Sequence, residues 1–174
     1  MASSICQILD HIPISGTEIE IGFSPQSSNL WVEFEKSNFE KWYGFFGRGE
    51  YGVDKLICIL KNFEAFVLSG GKCYWIDIEK QATFFPSENE NFENNTEAIY
   101  SDTRNVITTA ALGSIRIYDH QGLQWESERI APERIEFSEE REGLIYARAE
   151  LGSEWKDFHF NIDQRKIVGI NFPF

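Results

Sequence analysis

The sequence is short of the features that mark several large classes of protein. It contains no apolar run near the roughly 20 residues of a membrane-spanning helix, so we expect no membrane span. Its first ten residues lack the basic and long apolar segments of a secretory signal. The 16 basic residues are outnumbered by 28 acidic ones, which gives a formal net charge of −12. Because such a surface repels phosphate, the sequence also argues against nucleic acid as a direct partner.

The chain has three cysteines, Cys6, Cys58 and Cys73, and their spacing is too wide for a metal site of closely spaced ligands. An odd number of cysteines without a secretory signal is typical of reduced thiols in a cytosol. Cys58 and Cys73 lie inside apolar runs, which predicts that both thiols are packed in the core. We therefore expect a cytoplasmic protein with reduced thiols, no metal and no other cofactor.

Aromatic residues, by contrast, are abundant: the chain has 15 Phe, 6 Tyr and 5 Trp. Such side chains suit the pleated, half-buried surface of a β-sheet. A hexapeptide also occurs twice, since WVEFEK at residues 31–36 returns as WIDIEK at residues 75–80, 44 positions later. A fixed period of this length is typical of arrays of small sheets with about four strands each.

Turn residues carry a similar period through the rest of the chain. Asp77, Asp119 and Asp163 each lie between two apolar alternating runs, at intervals of 42 and 44 residues. Asp bonds to its own backbone in turns, and Gly tolerates positive φ. The unit is therefore predicted as strand, Gly turn, strand, Asp turn, strand. The glycines at the turn before each Asp are Gly70 with Gly71, Gly113, and Gly152.

These patterns predict a single all-β domain of residues 1–174, an antiparallel meander of about four four-stranded units arranged like propeller blades. A meander rolled into a barrel or a sandwich remains the alternative, because the sequence does not show whether the first and last units meet. The apolar run Leu56–Leu60 is predicted to be a strand buried on both faces, and the segment Gly44–Gly49 a bend between units. The predicted units span about residues 17–49, 50–93, 94–132 and 133–174.

The part of the chain from about residue 60 onward resembles an uncharacterised family of bacterial proteins with propeller-like β repeats. The resemblance is carried by Gly70-Gly71-x-x-Tyr74-x-x-Asp77, by Trp125-x-Ser127-x-Arg129-Ile130, and by a late strand with Asp163 and Gly169. In such proteins a second Arg and Trp-Asp-Gly often follow the second phrase, where this chain has Ala131-Pro132-Glu133. The resemblance implies a propeller-like fold and carries no known activity.

No arrangement of residues typical of catalysis stands out. The three histidines, His11, His120 and His159, are far apart in sequence. Asp157 and His159 alternate on one face of a predicted strand, so they could share a metal or a proton. A pair facing solvent is the ordinary interpretation of that spacing. Carboxylates two positions apart, which a glycosidase would need across a cleft, are expected by chance in a chain with 28 acidic residues.

We therefore expect a non-enzymatic, cytosolic protein-interaction module. A specific form of this hypothesis is an acidic inhibitor of a basic bacterial effector, comparable to an immunity protein. The alternative is a hydrolase or carbohydrate-acting enzyme that uses carboxylates on one rim, so the sequence leaves enzymatic activity open. The expected partner is a protein, with basic charge favoured, and a homo-oligomer is compatible with the sequence.

The candidate partner-binding residues follow from the side chains that dominate protein interfaces, namely Trp, Tyr and Arg. Trp42 is the leading surface candidate, because it is the tryptophan least related to the repeat. Tyr43 stands beside it, and Arg129 is the arginine of the Trp-x-Ser-x-Arg-Ile phrase. The acidic residues expected to steer a basic partner are Glu136, Glu139 and Glu140.

Overall fold

The computed structural model describes residues 5–13, 19–51, 53–85, 94–132 and 134–169. In these residues 16 strands form four sheets of four strands, and the only helical segment is a 3-10 turn at Leu60–Asn62. The predicted all-β fold and the predicted four four-stranded units are confirmed. In the same part of the chain, no helix reaches the length and hydropathy that crossing a membrane would take.

The chain divides into two compact units, unit 1 at residues 1–93 and unit 2 at residues 94–174. Each unit contains two sheets. The boundary between unit 1 and unit 2 falls between the second and third of the four-stranded repeats predicted from the sequence. In unit 1, sheet A contains β1 (Cys6–Leu9), β2 (Ile19–Phe23), β3 (Asn29–Glu35) and β4 (Lys41–Gly47), and sheet B contains β5 (Lys55–Ile59), β6 (Glu64–Ser69), β7 (Lys72–Asp77) and β8 (Ala82–Thr83). In unit 2, sheet C contains β9 (Asn95–Ser101), β10 (Val106–Ala111), β11 (Ser114–Asp119) and β12 (Gly122–Glu126), and sheet D contains β13 (Ile135–Arg141), β14 (Leu144–Leu151), β15 (Glu154–Asn161) and β16 (Lys166–Val168).

Sheets B, C and D are antiparallel meanders whose strands neighbour one another in chain order. In all three, the predicted Gly turn joins the second strand to the third, and the predicted Asp turn joins the third to the fourth. Gly113 shows why glycine is needed there: its φ is +87°, and a Cβ would collide with the carbonyl oxygen of Ala131. Asp77 shows the other turn, since its Oδ1 accepts a hydrogen bond of 2.9 Å from the backbone N–H of Lys80.

Sheet A departs from the predicted meander. Its strand order is β1-β3-β4-β2, and β2 pairs with β4 in parallel. The edge strand β1 lies outside the predicted first unit, and the predicted bend at Gly44–Gly49 is mostly strand β4. Gly44 is in that strand for a packing reason, because a Cβ there would lie 2.8 Å from the Phe46 ring and 2.9 Å from the Phe34 ring. An apolar alternation indicates strands but carries no information about their order in a sheet.

The repeated hexapeptide supplies matching positions to the core of unit 1. Val32 and Phe34 in the first copy, and Ile76 and Ile78 in the second, are fully buried in one cluster between sheets A and B. In each copy the strand pairs antiparallel with the strand that follows it, β4 for the first copy and β8 for the second. The other partner differs, because it is β1 for the first copy and the adjacent hairpin strand β6 for the second. The repeat therefore conserves the buried face and the hairpin that follows it.

The strand buried on both faces is β6, and the prediction that placed this burial at Leu56–Leu60 is wrong. Every residue of β6 is buried, whereas most of β5 is half-buried. The reason is position, since β5 is an edge strand and β6 is an internal one. Burial of Glu64 in β6 is compensated by a hydrogen bond of 3.1 Å from the indole Nε1 of Trp75 to its Oε2.

Cys6 and Cys58 form a disulfide that links β1 of sheet A to β5 of sheet B, with a Cα–Cα distance of 6.2 Å. The prediction of reduced thiols is wrong for this pair, and the argument for a cytoplasmic location that rested on it no longer holds. The two residues are 52 positions apart, and only the packing of the two sheets brings them together. Cys73 lies outside this disulfide and is buried, as predicted.

Candidate functional site

Trp42, predicted as a surface residue, is fully buried in unit 1. Its indole Nε1 donates a hydrogen bond of 3.1 Å to the carbonyl oxygen of Ile78, and its ring centroid is 4.4 Å from that of Phe34. The prediction that Trp42 lies on a surface is wrong because β4 is an internal strand whose Trp42 face turns toward sheet B. Tyr43 is 9% exposed, and its hydroxyl lies 3.3 Å from Oε2 of Glu33. Neither residue offers an anchor to a partner.

Arg129 is exposed, but its side chain forms hydrogen bonds with the backbone of nearby residues. The guanidinium donates hydrogen bonds to the carbonyl oxygens of Ala131, at 3.1 Å, and Pro132. The N–H groups of Ile130 and Ala131 bond in turn to the carbonyl of Gly113 at 2.7 and 3.1 Å. Arg129 therefore holds the segment after β12 against the edge of sheet C, which gives the Trp-x-Ser-x-Arg-Ile phrase a structural role.

The three predicted acidic residues are brought together only in part. Glu136 Oε2 accepts a hydrogen bond of 2.8 Å from Nε of Arg148, and Glu139 Oε2 lies 2.8 Å from a guanidinium nitrogen of Arg141. Glu140 lies near the end of β13, where its Oε1 accepts a hydrogen bond of 2.7 Å from the N–H of Gly143 in the following turn. The register of β13 shifts between Phe137 and Glu139. Because of this β-bulge, Glu139 pairs with Tyr146 of β14 and lies on the same face of sheet D as Glu136.

The side of sheet D that faces away from the core of unit 2 carries the strongest candidate site. On β14 and β15, Ala147, Phe158 and Phe160 face the core, so the residues that alternate with them face outward. An open depression of about 550 Å³ lies over this surface. We refer to the surface as the sheet D outer face and define it by Glu136, Glu139, Tyr146, Arg148, Trp155, Asp157 and His159.

The residues of the sheet D outer face hold one another in place. The Arg148 guanidinium lies 4.6 Å from the centroid of the Trp155 ring while it is bonded to Glu136. The Tyr146 and His159 rings stand 4.4 Å apart, inclined by 70°. Trp155 remains 38% exposed. The surface thus offers aromatic rings and an arginine that already contact one another, an arrangement that favours a low entropy cost of association.

Asp157 and His159 lie on one face of β15, as the sequence indicated, but no third ligand joins them. Throughout the described ranges, no group of three or more His, Cys, Asp or Glu residues is placed to hold a metal ion. The ring of His159 packs against Tyr146, which is a structural contact.

Sequence reasoning missed Tyr146, Arg148 and Trp155. A signal for them existed, because Tyr146-Ala-Arg148 and Trp155-Lys-Asp157-Phe-His159 alternate in two strands joined by the two-residue turn at 152–153. The pairing of Arg148 with Asp157 and of Tyr146 with His159 follows from that turn. The signal was hidden because Trp155 occupies a repeat-related position, which favours packing in the core.

A second, smaller depression of about 270 Å³ lies at the ends of strands in unit 2, beside the turns of Asp119 and Asp163. The Arg104 guanidinium bonds to both carboxylate oxygens of Asp163, at 2.7 and 2.6 Å. This hydrogen bonding lowers the pKa of Asp163 and raises the pKa of Arg104. Arg104 also contacts the carbonyl oxygen of Glu142 at 3.3 Å. The pair links the turn between β9 and β10 to the turn between β15 and β16.

Comparison with known proteins adds no family to this description. No protein-family model matches the chain, and the search of curated proteins returned no match. The assignment of the candidate site therefore rests on its geometry alone.

Proposed function

We propose that this protein is a non-enzymatic protein-binding module and that the sheet D outer face is its binding surface. The observation that carries the proposal is the exposed Trp155 ring with Arg148 stacked on it and Glu136 holding the arginine. Trp and Arg are enriched among the residues that contribute most to binding energy, especially where neighbouring groups fix them. Trp155 takes the role that the sequence had suggested for Trp42.

The chemistry of the partner follows from charge. The chain has a formal net charge of −12, so the partner class that we propose is a basic protein, consistent with an acidic inhibitor of the immunity type. Long-range attraction of this kind raises the association rate and weakens with salt. The carboxylates of the face contribute less than their number suggests, because Glu136 and Glu139 are already paired with Arg148 and Arg141.

The alternative, a carboxylate-dependent hydrolase or carbohydrate-acting enzyme, draws less support from this geometry. A general acid needs a carboxyl group that keeps its proton near neutral pH, usually through burial away from cations. Here, Glu136 and Glu139 each form ion pairs with arginines, so neither carboxyl group is held away from cations. The first test of the proposal therefore measures binding to a partner protein.

The test is affinity capture with quantitative mass spectrometry, using Trp155→Ala and Arg148→Ala as variants and Phe39→Ala as the matched control. Phe39 is an 81% exposed aromatic residue in unit 1 and far in sequence from sheet D. We expect the wild type and the Phe39→Ala variant to capture the same basic protein in equal amounts. The Trp155→Ala and Arg148→Ala variants should each capture at least about tenfold less of it, as for hot-spot residues. Its association should slow as salt rises.

Equal capture by all three variants would overturn the assignment of the sheet D outer face. A partner that requires the face but is acidic, or whose association rate does not respond to salt, would overturn the electrostatic part alone. Hydrolysis of an oligosaccharide that is lost in Glu136→Gln would favour the enzyme instead.

A further inference from the structure

Asp157 stands apart from the other two carboxylates of the sheet D outer face, both of which are paired with arginines. Glu136 pairs with Arg148, and Glu139 pairs with Arg141. Every Lys, Arg and His residue of the chain falls in the ranges that the structure describes, and none of them forms an ion pair with Asp157. Asp157 is exposed, so a cation from outside the chain can reach its carboxylate.

The pairing of the strands explains why Asp157 is left over. Arg148 lies directly opposite Asp157 of β15 and directly opposite Glu136 of β13, so one arginine stands between two carboxylates. Its Nε and a second guanidinium nitrogen both bond to Oε2 of Glu136, at 2.8 and 2.5 Å. Arg134 also contacts Glu136, at 3.4 Å. The guanidinium of Arg148 thus bonds to Glu136 rather than to Asp157.

Aromatic rings flank Asp157 along its own strand. Trp155, Asp157 and His159 are alternate residues of β15 on one face, and such neighbours are about 7 Å apart. The Trp155 ring is partly exposed, and the His159 ring packs against Tyr146. Asp157 and His159 also line the open depression of about 550 Å³, which leaves room for a side chain from a partner.

A carboxylate between flat rings suits a guanidinium group. That planar cation can bond to both oxygens of a carboxylate and can stack on an aromatic ring. The ammonium group of lysine is compact and strongly hydrated, so it gains less from such surroundings. The face itself holds one arginine in this way, because Arg148 lies over the Trp155 ring while it is bonded to Glu136.

We propose that Asp157 is the receptor for an arginine side chain of the basic partner protein, with Trp155 and His159 on either side of the guanidinium. The inference rests on the proposed function, because it concerns the same face. It adds which side chain of the partner is recognised and which residue recognises it. Charge complementarity is local here, since the carboxylate that binds is the one that the chain leaves unpaired.

The direct test is a titration of the full chain with N-acetyl-arginine amide, followed through the indole N–H signal of Trp155 in nuclear magnetic resonance spectra. The signal is assigned by its loss in Trp155→Ala. We expect it to shift and to saturate at millimolar ligand, as for one exposed ion pair with stacking, while the other four tryptophan signals stay in place. N-acetyl-citrulline amide, which has nearly the same shape without the charge, should cause no saturating shift.

The matched variants are Asp157→Asn and Asp10→Asn, because each removes one negative charge from an exposed aspartate. Asp157→Asn should raise the dissociation constant of the arginine amide at least about threefold, and Asp10→Asn should leave it unchanged. A Trp155 signal that does not respond, or two variants that bind equally well, overturns the proposal. An equal response to N-acetyl-lysine amide or to the citrulline amide overturns the choice of arginine.

The capture experiment separates this inference from the proposed function. If the sheet D outer face is not the binding surface, Trp155→Ala and Arg148→Ala capture as much partner as the wild type, and both ideas fail. If only the receptor is wrong, those two variants lose the partner, whereas Asp157→Asn captures as much as Asp10→Asn. We expect Asp157→Asn to capture at least about tenfold less than Asp10→Asn.

Discussion

The two units use aromatic and basic residues in opposite ways. The core of unit 1 is aromatic, with Phe23, Phe34, Trp42, Phe46 and Tyr74 among its buried residues, whereas the core cluster of unit 2 is mainly Ile and Ala with Phe158 and Phe160. Unit 2 instead displays Trp155 and Tyr146 on an outer face. Of the basic residues, unit 1 has six Lys and one Arg, and unit 2 has seven Arg and two Lys.

The basic residues of unit 2 differ from those of unit 1 in the contacts that they make. Arginine forms planar, multiple hydrogen bonds and stacks on aromatic rings, which lysine does less well. In unit 2, Arg104, Arg141 and Arg148 each contact a carboxylate, and Arg148 and Arg141 also lie over aromatic rings. Trp42 thus packs in the core of unit 1, whereas Trp155 stays partly exposed beside Arg148 in unit 2.

Exchanging the two tryptophans for alanine tests this contrast with the largest expected effect. Trp42→Ala should lower the free energy of unfolding by about 3–5 kcal/mol, because it leaves a cavity and an unpaired carbonyl oxygen at Ile78. Trp155→Ala should change it by about 0.5 kcal/mol or less, since the ring is partly exposed. Urea unfolding followed by far-ultraviolet circular dichroism measures both values. Equal losses in the two variants would contradict the contrast.

Breaking the disulfide should affect unit 1 nearly as much. Replacing Cys6 and Cys58 together by serine frees a loop of 52 residues, which should cost about 2–4 kcal/mol. Thiol counting supplies an independent measurement, because the unfolded, unreduced chain should react with one equivalent of reagent, at Cys73, and the reduced chain with three. Three reactive thiols before reduction would show that the link is absent. Cys73→Ser serves as the control for the reagent.

Acid should reveal the smallest effect, which both units share at their Asp turns. Partial burial would raise the pKa of Asp77, but hydrogen bonds from Lys80 outweigh it and lower that pKa, while the bonds from Arg104 lower the pKa of Asp163. A lowered native pKa stabilises the fold fully above the carboxyl pKa of the unfolded chain, about 3.9. That contribution is lost as pH falls through the native value.

The measurement for this prediction is the urea midpoint between about pH 3 and pH 7 for the wild type and for Asp163→Asn and Asp77→Asn. We expect the difference between wild type and each variant to shrink as the pH falls. A difference that stays constant across this range would show that the carboxylate charge makes no contribution at that turn.

Much of the architecture depends on interactions between residues close in the chain, so it could be predicted from the sequence. Strand alternation, glycines at positive φ such as Gly113, and aspartates that cap turns such as Asp77 depend on neighbouring residues only. They predicted the all-β class, the four sheets, and the turns of sheets B, C and D. They also predicted the burial of Cys73.

The remaining features depend on which elements meet in space, and only the tertiary structure decided them. Trp42 is buried because its strand lies inside sheet A, and Trp155 is partly exposed because it lies on the face of sheet D that points away from the core of unit 2. Cys6 and Cys58 pair because two sheets pack together. The sequence by itself determined which residues form strands and turns, because backbone preferences act over a few residues. Strand order and packing determined which rings, thiols and charges are free to act, since both arise from contacts between residues distant in the chain.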